Sequence, residues 1–279
     1  MTGSATRIAV CQMNSGIDPA ANAQVLLNAA EEAARGGAAM LFTPEMSGLL
    51  DRDRMRAGSN IKAEADDPVL GMMRAAAERF GMWIALGSLA IMREDARWVN
   101  RSYLIDAGGR IAARYDKIHM FDVELTSGEV WRESAAFAPG SEVVTAETPV
   151  GQLGLSVCYD IRFPALFMEF GRKACDVIAI PAAFTVPTGQ AHWHLLQRAR
   201  AVEASAYVVA AAQVGSHADG RRTYGHSLVV DPWGEVVLDM GGEAPGLGFA
   251  IIDPARIAEI RQQLPSLANR RAIATSHGS

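Results

Sequence analysis

Apolar and polar positions alternate along the chain in a way that predicts strands and helices in turn. Arg7 to Met13 and Ala38 to Thr43 are apolar enough to be buried strands. Between them, Pro19 to Arg35 is rich in Ala, Leu and Glu and ends at two glycines, which is typical of a helix. The same criteria predict a helix over 67–80 and strands over 82–92, 98–106 and 110–115.

The second half of the chain repeats this rhythm, with strands predicted over 151–157, 176–180, 207–213, 225–230, 235–240 and 247–252 and helices over 164–173, 189–205 and 254–264. Such alternation indicates the α/β class, with too many strands and hairpins for a simple Rossmann order. Because no linker interrupts the pattern, we expect one domain over 1–268 and a polar tail over 269–279. The stretch 118–140 is long and irregular, as functional loops often are, and the pattern does not give its conformation.

The composition is that of a packed protein with a modest negative charge. Of the 279 residues, 49% are hydrophobic and 20% are charged, and the formal net charge is −5. This charge argues against a nucleic-acid partner, because surfaces that bind nucleic acid are normally basic. The longest apolar stretch, 206–214, is too short to cross a bilayer, and no secretory segment opens the chain. Three cysteines suit reduced thiols better than a disulfide framework, so we expect a cytoplasmic protein that binds neither membrane nor nucleic acid.

Three residues that could carry chemistry follow predicted strands. Cys158 stands where a strand gives way to a helix, although most free cysteines are only small buried apolar groups, as we expect for Cys11 and Cys175. Glu45 directly follows an apolar run. Most glutamates lie on the surface, but one buried there must be paired or protonated and could act as a general base. Lys117 is either a solvated lysine on a turn or a fixed positive charge that stabilises an oxyanion.

A metal site was weighed against this nucleophile hypothesis. His192 and His194 lie two residues apart on a predicted helix, so they point to different faces and are poor joint ligands. No cysteine or aspartate cluster completes a ligand set in the sequence. We therefore expect no metal and no other cofactor.

Taken together, the three strand-end residues resemble the catalytic triad of the nitrilase superfamily of carbon–nitrogen hydrolases. Glu45 in Pro-Glu, Lys117 in Asp-Lys-Ile-His and Cys158 in Cys-Tyr-Asp-Ile-Arg-Phe-Pro occur in the family's order, and the resemblance runs over nearly the whole chain. It includes Tyr-Gly-His-Ser at 224–227 and the Asp-Pro-Trp-Gly turn at 231–234. The resemblance implies a four-layer αββα sandwich that forms a homodimer through its helical faces, or a larger homo-oligomer.

The resemblance also implies a role for each site residue. Glu45 would take the proton of Cys158, whose sulfur attacks an amide carbonyl to form a thioester. Lys117 and the backbone N–H of Tyr159 would bind the oxyanion, and water activated by Glu45 would hydrolyse the thioester. Glu133 matches the family's second glutamate and would help to position that water. Without the resemblance, Glu133 would be interpreted as an ordinary loop carboxylate.

The span 181–203 is most similar to the branch of the superfamily that hydrolyses deaminated glutathione, with ω-amidase acting on α-ketoglutaramate as the alternative. Such small-molecule amides carry a carboxylate, which the planar guanidinium of an arginine suits. Arg162 is one candidate. Arg221 and Arg222 are others, although a solvated loop is the favoured interpretation for these two. The residues expected to contact the substrate or the oxyanion, or to lie directly behind them, are Tyr159, Arg162, His119 and Phe184.

Other functions stay open at this point. An N-carbamoyl amide hydrolase is one, and a nitrilase is another, although nitrilases usually have Cys-Trp-Glu where this chain has Cys-Tyr-Asp. A non-catalytic scaffold is a third, and the intact trio of Glu45, Lys117 and Cys158 counts against it. Relatives often have glutamate where this chain has Ala165, a departure that bears on the substrate rather than on the chemistry.

Overall fold

The computed structural model describes residues 4–124, 128 and 130–273. The helices in this part of the chain are α1 (Pro19–Arg35), α2 (Arg54–Asn60), α3 (Pro68–Phe80), α4 (Pro164–Arg172), α5 (Val186–Ala204) and α6 (Pro254–Gln263). The strands are β1 (Thr6–Gln12), β2 (Met40–Phe42), β3 (Lys62–Ala63), β4 (Trp83–Met92), β5 (Trp98–Ile105), β6 (Ile111–Asp116), β7 (Asp122–Glu124), β8 (Val130–Arg132), β9 (Thr145–Thr148), β10 (Gly151–Leu155), β11 (Val177–Ala179), β12 (Tyr207–Ala210), β13 (Val214–Ser216), β14 (Arg222–Tyr224), β15 (Leu228–Val230), β16 (Val236–Asp239) and β17 (Gly246–Ile252).

Two large sheets with matching organisation form the centre of the fold. The first has the strand order β17-β1-β2-β4-β5-β6, with β3 beside β4, and the second has the order β16-β15-β12-β11-β10-β9. In the first sheet β1, β2 and β4 are parallel, and in the second β10, β11 and β12 are parallel. In both orders the remaining pairs are antiparallel. Side chains that follow parallel strands meet at one edge of a sheet, and this edge is where α/β proteins bind ligands.

The two sheets pack face to face and helices cover their outer faces. Along β1, Ile8 and Val10 join the core shared with the second sheet, whereas Ala9 and Cys11 join the core under α1 and α3. This period of two is what a strand buried on both faces requires. On the other side, α4 and α5 pack on the second sheet through large side chains such as that of Trp193. The layers are therefore α, β, β and α, which confirms the predicted sandwich.

Most predicted helices and strands are present, and the missed ones are short. The helix α2 follows Asp53, whose carboxylate accepts the N–H groups of Met55 and Arg56. One or two turns are too short to show a helical period, so the pattern did not reveal this helix. The stretch 118–140 contains β7, β8 and a 3₁₀ turn at Glu133–Ala135. The small hairpin of β13 and β14 was likewise not predicted as two strands.

The predicted tail, 269–279, is described only as far as residue 273, and the rest lies outside the described residues. Arg270 donates from its guanidinium to the carbonyl oxygens of Met168, at 2.9 Å, and Glu203, at 3.2 Å. The start of the tail thus lies against α4 and α5, and the division into a domain and a tail stays a prediction. None of the helices in the described ranges has the length and apolar character needed to cross a membrane.

Candidate active site

The ends of three strands bring Glu45, Lys117 and Cys158 together, as the sequence predicted. Glu45 follows β2, Lys117 follows β6 and Cys158 follows β10. The Lys117 ammonium (Nζ) lies 3.0 Å from Oε1 of Glu45. All three residues are buried, with exposed fractions of 5%, 2% and 7%. Burial of a lysine and a glutamate at this depth requires that each satisfy the other, so the pair is fixed in position.

Glu133 completes the group from the long loop. Its carboxylate lies 3.0 and 2.8 Å from the Lys117 ammonium and accepts the N–H of Phe121 at 2.7 Å. Lys117 therefore lies between two carboxylates. Burial alone would lower the pKa of the Lys117 ammonium, but the charges of Glu133 and Glu45 raise that pKa well above its usual value. Lys117 is consequently a permanent cation in the resting protein.

Two further groups, which the sequence analysis missed, hold the Glu45 carboxylate. The Asn100 side-chain amide donates to Oε1 at 2.9 Å, and the backbone N–H of Ala183 donates to Oε2 at 2.9 Å. Asn100 also donates to Glu133 at 3.3 Å, so it links both carboxylates. The strand β5 carries several polar residues, so no sequence feature distinguished Asn100 from its neighbours. These bonds orient one carboxylate oxygen toward Lys117 and hold the other by the backbone.

The backbone at Cys158 has an unusual conformation for a residue with a side chain. Its φ is 48°, in the left-handed region, which costs an L-residue about 1–2 kcal/mol. The Cys158 N–H donates to the carbonyl of Pro181 at 2.8 Å, which ties the turn to the segment after β11. A sharp turn of this kind, rather than a direct entry into α4, presents the thiol at the sheet edge.

The thiol of Cys158 is neutral at rest. Burial raises its pKa well above the usual value, and the nearby Glu45 carboxylate raises it further, whereas Lys117 opposes both effects. The proton must therefore leave as the sulfur attacks, and Glu45, whose carboxylate charge acts on the thiol, is the group placed to accept it.

Asp160, two residues after Cys158, ties the turn to the strand that delivers Lys117. Its fully buried carboxylate accepts the N–H of Val157 at 2.8 Å, the hydroxyl of Tyr115 at 2.7 Å and the N–H of His119 at 3.0 Å. One side chain thus fixes the cysteine turn and both flanks of Lys117. The sequence analysis did not give Asp160 this role.

A cavity of about 610 Å³ lies at this sheet edge, and its lining includes Glu45, Lys117, Glu133 and Cys158. We call these four residues the floor of the cavity. Tyr159 and Phe184 also line it, as expected for residues that contact a substrate. The ring of Tyr159 meets the edge of Phe121 at 5.0 Å, which gives one wall of the cavity an aromatic surface.

Arg162 and His119, which were expected at the substrate, are not among the described residues that line the cavity. The Arg162 guanidinium lies over the outer part of Phe184, 5.5 Å from the ring centroid. In a 3₁₀ turn with three residues per turn, a residue four positions after the cysteine does not share its face. The His119 ring lies 2.7 Å from Asp160 and stacks on Phe163 at 3.6 Å, which agrees with the expected position behind the site.

Several arginines line the cavity and expose more of their surface than the floor does. Arg221 and Arg222 are among them: Arg221 is partly buried, whereas Arg222 is exposed, as the solvated interpretation expected. A cluster of tertiary contacts, not local sequence, brings them to the site. We call these residues the rim of the cavity: Arg52, Arg54, Arg132, Arg221 and Arg222.

A separate cluster contains groups that could hold a metal ion. His194 does not pair with His192. It lies instead with His226 and Asp239, and the ligand atoms of these three lie within 4.8 Å of one another. Asp239 lies on β16, 45 residues along the chain from His194, so local sequence did not indicate that the two would meet. In the structure the Asp239 carboxylate lies 2.9 Å from His194 and 3.0 Å from His226, and these hydrogen bonds account for the arrangement.

The floor therefore combines a neutral thiol, a carboxylate in the same cavity lining and a cation in a buried setting, which equips it for acyl transfer to sulfur. The family comparison agrees with this chemistry, since the model of the carbon–nitrogen hydrolase family matches residues 7–262. The chain belongs to that family and is a carbon–nitrogen hydrolase.

Individual relatives narrow the class. The deaminated glutathione amidase of Yersinia enterocolitica is 40% identical over 246 residues, which cover 86% of this chain and 84% of the relative. The crystal structure of the Caenorhabditis elegans NitFhit protein matches with a TM-score of 0.89 and 36% identity, covering 97% of this chain and 66% of that one. Nit3 of Saccharomyces cerevisiae, a member of branch 10 of the nitrilase superfamily, matches with a TM-score of 0.85 and 27% identity over 95% of this chain and 96% of its own.

Proposed function

We propose that this protein is a cysteine-dependent amidase that hydrolyses a small carboxylate-bearing amide through a thioester on Cys158. Deaminated glutathione is the proposed preferred substrate. The observation that carries the proposal is the contact of the buried Lys117 ammonium with Glu45 and Glu133 beside that thiol. The similarity to deaminated glutathione amidases supports the choice of substrate. The arginine rim supports a negatively charged one.

In the first half of the reaction, Glu45 accepts the thiol proton while the sulfur of Cys158 attacks the amide carbonyl carbon. The carbonyl electron pair moves onto the oxygen, and the charge of Lys117 and the backbone N–H of Tyr159 stabilise that oxyanion. When the intermediate collapses, the carbon–nitrogen bond breaks. Glu45 returns the proton to the leaving nitrogen, so the amine departs neutral and a thioester remains.

In the second half, water attacks the thioester carbonyl while Glu45 accepts one of its protons. Glu133, 2.8 Å from Lys117, positions that water, and its bond from Phe121 keeps the carboxylate oriented. The carbon–sulfur bond then breaks, the sulfur recovers the proton from Glu45 and the carboxylic acid leaves. Each step uses side chains of this chain, substrate and water.

The alternatives differ in the amide rather than in the floor. An ω-amidase would release ammonia from α-ketoglutaramate, a substrate that carries only one carboxylate. N-carbamoyl amides would need the same thiol and oxyanion groups. A nitrile would need the same thiol, but the charge would develop on its nitrogen as a thioimidate forms, and a scaffold would need none of these groups. The rim of five arginines favours a substrate with more than one anionic group, as deaminated glutathione has.

A substrate panel tests the proposal. Purified protein is assayed for released amine or ammonia with deaminated glutathione, α-ketoglutaramate, short aliphatic amides, an N-carbamoyl amino acid and a nitrile. We expect the highest kcat/KM with deaminated glutathione, a thioester on Cys158 detected by mass spectrometry of the rapidly quenched reaction, and no turnover by Cys158→Ala. Preference for a neutral amide or a nitrile would contradict the proposal.

We also propose that the protein is a homodimer or a larger homo-oligomer built through the face of α4 and α5. Three apolar side chains on these helices, those of Met168, Leu195 and Val202, are 41%, 67% and 42% exposed, as contact surfaces often are. A cytoplasmic location is proposed as well, because the three cysteines are buried and unpaired. Light scattering during size-exclusion chromatography of the purified protein tests the oligomeric state. Fractionation of the source cells tests the cytoplasmic location.

A further inference from the structure

Among the rim arginines, Arg221 stands at the tip of the hairpin formed by β13 and β14. The turn that carries it is closed by the N–H of His217, which donates to the Arg221 carbonyl at 2.9 Å. His217 itself is buried, and its ring contacts the Ser15 carbonyl at 2.9 Å and the Thr223 hydroxyl at 2.7 Å. The hairpin tip is therefore anchored from below, and the Arg221 side chain is only 17% exposed.

A buried aspartate holds one edge of the Arg221 guanidinium. The fully buried carboxylate of Asp219 accepts the N–H of Arg221 at 3.1 Å and its Nε at 2.6 Å. The same carboxylate accepts the N–H of Arg52 at 2.9 Å, which joins the hairpin to the loop after Asp51. This pairing uses Nε alone. Within the described residues, Nη1 and Nη2 of Arg221 donate to no acceptor.

The face of Arg221 is held by an aromatic ring. Its Cζ lies 5.2 Å from the ring centroid of Trp131, which also lines the cavity. The indole Nε1 of Trp131 is buried and has no hydrogen-bond partner among the described residues. A buried donor without a partner is costly, and a bound anion or water that reached it would relieve that cost.

The other rim arginines are less suited to a fixed contact. Arg54 directs both terminal nitrogens at backbone carbonyls, those of Ala135 and Arg132. Arg132 donates to the carbonyls of Val123 and Trp131. Arg52 and Arg222 are exposed and, in the part of the chain described, their side chains make no hydrogen bond that would orient them. The five rim arginines outnumber the carboxylates of Asp219 and of Asp51, which also lines the cavity and pairs with Arg56, and they keep the mouth of the cavity cationic.

We propose that Arg221 is the specificity-determining residue of this site and binds a carboxylate of the substrate through its paired Nη1 and Nη2, with Asp219 and Trp131 as positioning residues. The inference rests on the proposed function and adds to it the residue that binds the substrate carboxylate. A guanidinium held at Nε and on one face offers the two parallel N–H groups that match a carboxylate. The carboxylate comes either from the acyl half of the amide or from the leaving amine.

The test measures how strongly each variant prefers an anionic amide. We compare kcat/KM for deaminated glutathione with that for two analogues, each with one of its two carboxylates converted to a neutral carboxamide. In Arg221→Gln, KM for deaminated glutathione should rise about 10- to 100-fold, with a much smaller change in kcat. For the analogue that lacks the carboxylate bound by Arg221, wild type and Arg221→Gln should have the same KM. For the other analogue their KM values should still differ, and this identifies the half of the substrate that Arg221 binds.

The chain offers a matched control and a second variant. Arg110 lies in another hairpin turn, where Asp106 accepts its N–H at 2.9 Å and its Nε at 3.0 Å, away from the cavity. Arg110→Gln should leave KM unchanged. Asp219→Asn removes the charge that orients Arg221 and should raise KM about tenfold with kcat nearly constant, a separation that general destabilisation would not produce. Arg221→Lys keeps the positive charge but loses the two parallel N–H groups of the guanidinium. Its KM should lie between those of wild type and Arg221→Gln.

Two kinds of failure are distinguishable. If the wild-type protein turns over no carboxylate-bearing amide, the proposed function is wrong. A second outcome is that the wild-type protein hydrolyses such an amide, but Arg221→Gln, shown by circular dichroism to be folded, keeps the wild-type KM for deaminated glutathione and both analogues. In that case the proposed function stands and Arg221 does not bind the substrate carboxylate. Calorimetric binding of 2-oxoglutarate and of cysteinylglycine to Cys158→Ala, with and without Arg221→Gln, gives a readout that does not depend on turnover.

Discussion

The floor and the rim of the cavity are both rich in charge, yet they are built in different ways. On the floor, one cation lies between two carboxylates, and every one of these groups is held by a second partner such as Asn100, Ala183 or Phe121. On the rim, arginines come from separate segments of the chain, and most are exposed. Burial explains the contrast, because buried charges must satisfy one another whereas exposed ones are solvated.

This difference separates two tasks. A floor with fixed charges can stabilise an oxyanion without reorganisation during the reaction, which is the main source of catalysis in acyl transfer. A rim with excess positive charge attracts and orients an anionic substrate but does not touch the scissile bond. Changes on the floor should therefore affect kcat and stability together, and changes on the rim should affect KM.

Lys117→Met should have the largest effect. Turnover should fall at least about 10³-fold, because the oxyanion loses its cation. Removal of the ammonium also leaves Glu45 and Glu133 as buried carboxylates without a counter-charge, so the free energy of unfolding at pH 7 should fall by about 3–5 kcal/mol. Amide hydrolysis and urea denaturation measure the two effects. Lys173→Met, at the exposed end of α4, is the matched control and should change neither.

Glu45→Gln should move two kinds of reactivity in opposite directions. The Glu45 carboxylate helps burial to raise the pKa of the Cys158 thiol, whereas Lys117 lowers it. With the carboxylate gone, the pKa of the thiol should fall, and alkylation of Cys158 by iodoacetamide at pH 7 should become about tenfold faster. Amide turnover should fall about 10²-fold or more, because the proton acceptor is lost.

Mass spectrometry of the alkylated peptide at a series of pH values gives the thiol titration in each variant. The midpoint should shift to lower pH in Glu45→Gln and stay at its wild-type value in Glu147→Gln, whose carboxylate is exposed on β9. Slower alkylation of Glu45→Gln at every pH would mean that Glu45 lowers rather than raises the pKa of the thiol.

The sequence revealed the floor far better than the rim for a physical reason. Glu45, Lys117 and Cys158 each come at or just after the end of a strand, and the topology of an α/β protein brings such positions to one edge. The left-handed φ of Cys158 and the Asp160 carboxylate beneath it depend on tertiary contacts, so no local pattern predicted them. Arg221 was misjudged for the same reason, because the burial of Asp219 and the position of Trp131 decide where its side chain points.

Asp160 allows the smallest and most specific prediction, because it supports the floor without lining the cavity. Tyr115→Phe removes the hydroxyl that donates to Asp160 at 2.7 Å and should cost about 1–3 kcal/mol of unfolding free energy. It should also lower kcat two- to tenfold, because the Cys158 turn and the Lys117 segment share this carboxylate. Tyr103→Phe is the matched control. Tyr103 lies on β5, the strand next to that of Tyr115, and its hydroxyl donates to Glu64 at 3.2 Å. Loss of this hydroxyl should lower stability while leaving kcat unchanged. If the two variants lose equal stability and equal activity, Asp160 only supports the fold, and the precision of the floor comes from the lysine and glutamates alone.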